Sequence, residues 1–267
     1  MLPTSTHLLR LSQGHLNLLA TCPRKFQHTY LEQLTAPTDP QQEEYQTLGS
    51  RFHLLMQQQE MGLPINSFLQ TDAQLQQWMT SFAKVAPEIL TPDTDKQTFH
   101  DSEHYRTLQI QDYLLTVIYD LLIADHQKAQ ILDWKTYPQP PNKKYLAKNW
   151  QTLLYMYILA ETSEYLPENI SMTYWFVQAQ DKPKNIHFKY DTQQHQQTQK
   201  ELNQLLNNLT NWLEQYHQNQ PFPQKPTSKK SCEYCQYAFL CYNQINNPLV
   251  TTSQNLPNID NIQEVSL

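Results

Sequence analysis

Apolar residues along this chain change their spacing twice, and the changes divide it. Between residues 7 and 34 leucines and aromatics recur every three to four positions, which predicts two helices separated at Cys22-Pro23, with Ser12 placed to cap the first. A proline-containing loop at 35–42 precedes a third helix, whose stripe is Tyr45, Leu48, Phe52, Leu55 and Met56, with His53 beside it. Residues 63–92 continue the helical spacing through Leu75, Trp78, Met79 and Phe82. From about 103 to 135 the period becomes two, predicting three antiparallel strands with turns near Gln111-Asp112 and at 124–128. A helix returns at 146–164, strands are expected at 169–178 and 185–190, and a long helix at 192–217 carries Leu202, Leu205, Leu206 and Leu209.

This order implies a mixed α/β fold, with a central mixed sheet and helices packed against it. One domain is expected over 1–243, with a helical part at 1–100, a core at 101–190, and a helix and cysteine segment at 191–243. The polar residues 244–267 read as a loose tail.

Composition narrows the chemistry. The chain has 267 residues but only 3 glycines, which argues against glycine-rich phosphate loops and so against nucleotide-binding enzymes built on them. A net charge of −6 argues against a protein that coats nucleic acid with its whole surface, although a local groove can still be basic. No stretch approaches the ~18 consecutive apolar residues of a membrane span, and residues 1–15 lack the basic start and apolar centre of a signal peptide. A soluble, cytoplasmic protein is expected. In that compartment Cys22, Cys232, Cys235 and Cys241 suit metal or cluster binding better than disulfides.

The segment ILDWKTY at 131–137 holds the candidate chemistry. Side chains alternate along a strand, so Asp133 and Lys135 share a face. Asp120 lies on the preceding strand, and a short turn brings the two strands together, so all three can converge at one sheet edge. Paired carboxylates offer hard ligands for Mg²⁺ or Mn²⁺, and a neighbouring lysine can position water and stabilise charge on a phosphate. Taken alone, the pair Asp133 and Lys135 is equally explained by a solvated strand surface.

The combination resembles the PD-(D/E)XK nuclease superfamily. It is similar in particular to its RecB-like branch, which includes the CRISPR-associated nucleases with an iron–sulfur cluster and the AddB-type recombination nuclease domain. The resemblance rests on Asp120, the Asp-Trp-Lys strand, the opening LSQGHLNLLATCPRKFQHTYL, the segment Gly49-Ser-Arg-Phe-His53, and Gln151 with Tyr155 four residues on. It covers roughly residues 8–243. It implies a restriction-endonuclease-like core, His53 as a further metal ligand, and Gln151 and Tyr155 orienting the lysine or the phosphate. It also implies a 4Fe-4S cluster on Cys22, Cys232, Cys235 and Cys241, joining the N- and C-terminal helical segments. Structural Zn²⁺ remains the alternative, because the cysteine spacing alone does not choose.

The implied activity is divalent-metal-dependent DNA hydrolysis, with single-stranded ends as substrate. A helicase or a CRISPR integration complex is the implied partner, and no membrane is involved. A different class also fits, a non-catalytic DNA-binding or scaffold protein on the same fold. A zinc-stapled interaction protein is a third reading. One departure favours the non-catalytic readings: Val117 stands where the family carries a glycine three residues before the first aspartate. Lys143, Lys144, Lys148, Arg24 and Lys25 are candidates for phosphate contact or plain solvated cations. Trp134, Trp150 and Tyr137 are candidates for base stacking or packing.

Overall fold

The computed structural model of the chain describes residues 8–35, 40–90, 98–178, 182–224 and 232–241. The tail expected at 244–267 lies outside them. Six strands are found among the described residues: β1 (Leu9–Leu11), β2 (Phe99–Ile110), β3 (Tyr113–Ala124), β4 (Ala129–Lys135), β5 (Ile170–Phe176) and β6 (Lys184–Lys189). The expected meander is β2–β3–β4. A two-residue turn at 111–112 joins β2 to β3. Asp125 closes the next turn, its Oδ1 accepting from the backbone N–H groups of Gln127 and Lys128.

β3 organises the sheet. One of its edges pairs with β2 along its length, antiparallel. The other edge is shared. Near its start β3 runs parallel to β1, from Leu9↔Tyr113 to Leu11↔Leu115. Near its end it runs antiparallel to β4, from Leu121↔Leu132 to Ala124↔Ala129. Residues 116–120 therefore face a fork between β1 and β4. Beyond β4 the sheet continues with β5, parallel, and β6, antiparallel. The sheet is mixed, as expected, but β1 falls where helix was predicted.

Helices cover both faces. α1 (Gln13–Thr21), α8 (Trp150–Glu161) and α9 (Thr192–His217) close one face, where Leu16, Leu154, Ile158, Leu202 and Leu206 join one apolar core. α3 (Pro40–Glu60) and α5 (Ala73–Val85) close the other with Phe52, Met56, Trp78 and Phe82. The helix expected over 63–92 is broken into α4 (Asn66–Gln70), α5 and α6 (Pro87–Leu90). Asp72 caps α5 by accepting from the backbone of Gln74 and Leu75, and Pro87 begins α6. α2 (Pro23–Phe26) continues into a π-helical turn at Gln27–Leu31, and α7 (Lys143–Leu146) precedes α8. No helix among the described residues is long and apolar enough to cross a membrane.

Strand alternation breaks once in β3. Tyr113, Leu115, Val117 and Tyr119 face the α8 core, and so do Leu122 and Ala124, although their parity is opposite. The break falls at Asp120 and Leu121. Directly across on β2, Glu103 has φ +54°, in the left-handed region. The β2–β3 register is the same before and after this point, so both strands kink together.

Candidate active site

The fork in the sheet, rather than the sheet edge expected from sequence, is where the acidic residues meet. β3 and β4 are paired up to Leu121↔Leu132 and then part. The backbone N–H of Trp134, freed from the ladder, donates to Asp120 Oδ2 at 2.6 Å. Beyond the fork lies a cavity of about 1240 Å³, lined by His53, Glu103, Asp120, Asp133, Lys135, Gln151 and Tyr155 among others. Every predicted catalytic and cation-binding residue thus reaches one cavity.

Asp133 and Lys135 do share a face. The Lys135 ammonium lies 2.5 Å from Asp133 Oδ1. That oxygen nevertheless lacks a well-directed hydrogen bond, so the contact is chiefly Coulombic. Gln151 ties the pair together, its Nε2 donating to Asp133 Oδ2 and its Oε1 accepting from Lys135 Nζ at 3.1 Å. Gln151 is held in turn at the start of α8. Asn149 caps that helix by accepting from the Gln151 backbone N–H, and Asn17 of α1 donates to Asn149 and accepts from the Trp150 N–H. Tyr155, one turn on, is buried against the same group.

His53 approaches from the opposite face. Its Nδ1 lies 3.3 Å from Asp120 Oδ1. Gly49 makes this possible. A Cβ at position 49 would meet Thr136 Oγ1 at 2.8 Å, so only glycine lets α3 lie this close to the end of β4. His53 is one helical turn further along and points the same way.

Charge balance follows from burial. Burial raises the Asp133 pKa from 3.8 to about 6 even though Lys135 opposes the shift. Burial also works against charge on Lys135 and on His53, but nearby carboxylates outweigh it and both pKa values rise, Lys135 through Asp133 and Asp120, His53 through its bond to Asp120. Burial, then the charges of Asp133 and Asp120, push the Tyr155 phenol up. Lys135 is the one Lys or Arg among the described residues that line the cavity, beside three carboxylates.

Such a cavity suits a divalent cation. His53, Glu103 and Asp120 each place one ligand atom within 4.8 Å of the others, and buried Asp133 offers an oxygen without a directed hydrogen bond. Glu103 was not anticipated from sequence. No motif spacing links it to Asp120, and the only available signal was strand register: counting back from the turn at 111–112 sets position 103 opposite position 120.

Comparison with known proteins agrees with this geometry. The family model of the PD-(D/E)XK nuclease superfamily matches residues 10–242. The chain belongs to the PD-(D/E)XK nuclease superfamily. Comparison with curated proteins gave no match. A solved structure from Eubacterium rectale, provisionally described as an exonuclease, shares the fold at 12% identity with a TM-score of 0.52, covering 90% of this chain and 93% of that one. Another, described as SSO0001, reaches a TM-score of 0.40 at 12% identity over 90% of this chain and 88% of its own, too low to bear on the fold. Members of the superfamily are nucleases that use divalent metals, and the fork cavity carries a candidate set of ligands for one.

Other sequence expectations are corrected or placed. Val117 is buried in the α8 core and does not line the cavity, so its side chain does not narrow the site. Trp134 and Trp150 are 2% and 6% exposed and pack inside, so neither is free to stack on a base, whereas Tyr137 lines the cavity. Lys143 lies over the Phe188 ring and Lys148 lines a cleft beside α9, so neither they nor Lys144 reach the fork.

The four cysteines, all half-buried, line a separate cavity of about 770 Å³. Arg24, buried nearby, donates to the Phe222 carbonyl, and its charge favours the Cys241 thiolate against the burial that pushes that thiol up. Tyr237 fastens the segment by donating to the Leu34 carbonyl.

Proposed function

We propose that this chain is a working divalent-metal-dependent deoxyribonuclease of the RecB-like type, acting on single-stranded DNA ends. The observation that carries this reading is the closed network at the fork: Asp133, Lys135 and Gln151 interlocked, with His53 delivered to Asp120 from the other face. His53, Asp120 and Asp133 would hold the ion. When bound, it supplies a polarised phosphodiester and a water of lowered pKa. Lys135 orients the attacking water and offsets charge gathering on the phosphate. Gln151 fixes the Lys135 ammonium and the Asp133 carboxylate, and Tyr155 closes the wall behind them. Lys135 is the one Lys or Arg among the described residues lining the cavity, so the cation and Lys135 together would receive the phosphate.

Cys22, Cys232, Cys235 and Cys241 belong, in this reading, to a 4Fe-4S cluster. All four thiols line one cavity of about 770 Å³, which suits a single shared guest, with structural Zn²⁺ as the alternative. The domain spans 1–243, with the cluster joining its two ends.

The test uses protein purified without air. Its visible spectrum should show the brown absorption of an iron–sulfur cluster. With Mn²⁺ or Mg²⁺ it should degrade end-labelled single-stranded DNA. Lys135→Ala should cut at least about a thousandfold more slowly while melting as a folded protein. Wild-type cleavage rates in Lys135→Ala would overturn the site assignment. Binding of DNA without cleavage under every metal condition would overturn the enzyme and leave a DNA-holding protein.

A further inference from the structure

Glu103 lines the fork cavity, and the proposed function gives it no role. It sits on β2 directly opposite Asp120, at the point where β2 and β3 kink together. Its backbone φ is +54°, a conformation that a residue other than glycine or asparagine adopts at a cost. Its carboxylate lies beside that of Asp120 and accepts no hydrogen bond from any described residue. On this half-buried acid, burial and the neighbouring Asp120 charge outweigh the favourable charge of His53, so it is incompletely compensated.

The neighbours say what would compensate it. His53, Glu103 and Asp120 come from α3, β2 and β3, and their ligand atoms converge within 4.8 Å. Asp120 is already divided between two tasks, Oδ2 held by the Trp134 N–H and Oδ1 facing His53. Asp133, on the far side of Asp120, is engaged by Lys135 and Gln151, yet keeps one buried oxygen without a directed hydrogen bond. The tightest group of donors at the fork is therefore centred on Glu103, not on Asp133.

We propose that Glu103 is a metal ligand, completing with His53 and Asp120 a three-residue cation site that opens on the cavity. One imidazole and two carboxylates suit Mn²⁺ better than Mg²⁺, which is bound mainly through oxygen and its own waters. Register supplies the geometry: position 103 lies opposite position 120, so the two carboxylates share a face, at the point where β2 carries its left-handed residue. The proposal rests on the fork being a metal site, and the experiment separates the two.

The measurement is Mn²⁺ binding to the full chain, cluster intact, followed by the loss of the free Mn²⁺ paramagnetic resonance signal. Wild type, Glu103→Gln, Glu103→Asn and Asp120→Asn are compared, with no DNA and no cleavage step. Glu103→Gln is expected to weaken Mn²⁺ by about tenfold or more, approaching the loss in Asp120→Asn. Glu103→Asn serves as the second variant because asparagine tolerates the left-handed region, so it should melt in chelator no lower than wild type while losing the ion equally. Mn²⁺ binding within about twofold of wild type in both Glu103 variants, with Asp120→Asn defective, would overturn the proposal and leave the metal site standing. A wild-type protein that binds no Mn²⁺, or an Asp120→Asn protein that binds it normally, would overturn the underlying metal reading and this proposal with it.

Discussion

The fork cavity and the cysteine cavity are built on opposite plans. At the fork the side chains are held by one another. Gln151 is fixed by its helix cap, Lys135 and Asp133 by Gln151, Asp120 by a backbone N–H, and His53 by a helix that only glycine could bring so close. A site of this kind is assembled before any ion arrives. In the cysteine cavity the four thiols face one space without bonding to each other, and they come from two ends of the chain more than 200 residues apart. There, on the proposed reading, a guest would add to the Tyr237–Leu34 hydrogen bond the main connection between the two ends, as in small metal-stapled domains. The contrast separates a group that the protein positions from a group that positions the protein.

The strongest way to break this comparison is to remove each guest in turn and melt the protein. Cys22→Ser, purified without air, should lose visible absorption and several kcal/mol of stability, because the N-terminal helices then keep the Tyr237 hydrogen bond to Leu34 but lose the cluster link to residues 232–241. Chelation of the fork cation should leave the fold in place. Its effect is limited to mass action, about 3 kcal/mol for an ion present at a hundred times its Kd. Equal losses in calorimetry would show that the two cavities do not differ in this way.

A smaller effect tests whether the fork is truly preassembled. Gly49→Ala improves helix propensity by about 1 kcal/mol but sets a Cβ 2.8 Å from Thr136 Oγ1. α3 must lift, taking His53 with it, and cleavage should fall about a hundredfold, the scale expected for a displacement of about 1 Å. Thr136→Ala removes the offending oxygen and leaves only the Thr136 Cβ, already at an ordinary 3.9 Å from the new methyl. The double variant should therefore regain most of the activity. Additive losses in the double-mutant cycle would place the effect of Gly49 elsewhere.

Much of this arrangement could be read from local pattern. The long helix α9 and the β2–β4 meander follow their periods closely, and the motifs carrying Asp120, Asp133, Lys135, Gln151 and His53 each lie within a few residues. What local pattern missed depends on distant partners. β1 is three residues long and becomes a strand only by lying parallel to the start of β3. The fork exists because β1 and β4 share one edge of β3, a fact of topology with no local signature. Trp134 and Trp150 were ambiguous for the same reason, since an aromatic on a strand or helix does not announce which face is covered. Glu103 lies 17 residues before Asp120, and its role emerges from register and from a backbone reversal that no residue type there would have suggested.

The finest test concerns the electrostatic cost of preassembly. Asp133 is buried and its pKa is raised from 3.8 to about 6. A raised carboxyl pKa means that the folded protein holds the proton more tightly than the unfolded chain. Its contribution to stability is fully present below pH 3.8 and is lost as pH rises through about 6. In chelator, wild type should therefore lose about 1 kcal/mol between pH 5 and pH 7 relative to Asp133→Asn, which cannot titrate. With saturating Mn²⁺ the sign should reverse, because a bound cation stabilises the ionised carboxylate and wild type then gains on the variant as the proton leaves. Melting curves at several pH values, with and without Mn²⁺, read both signs. A difference flat with pH in chelator would mean that Lys135 and Gln151 already offset the buried charge. The fork would then be assembled before its metal without electrostatic strain.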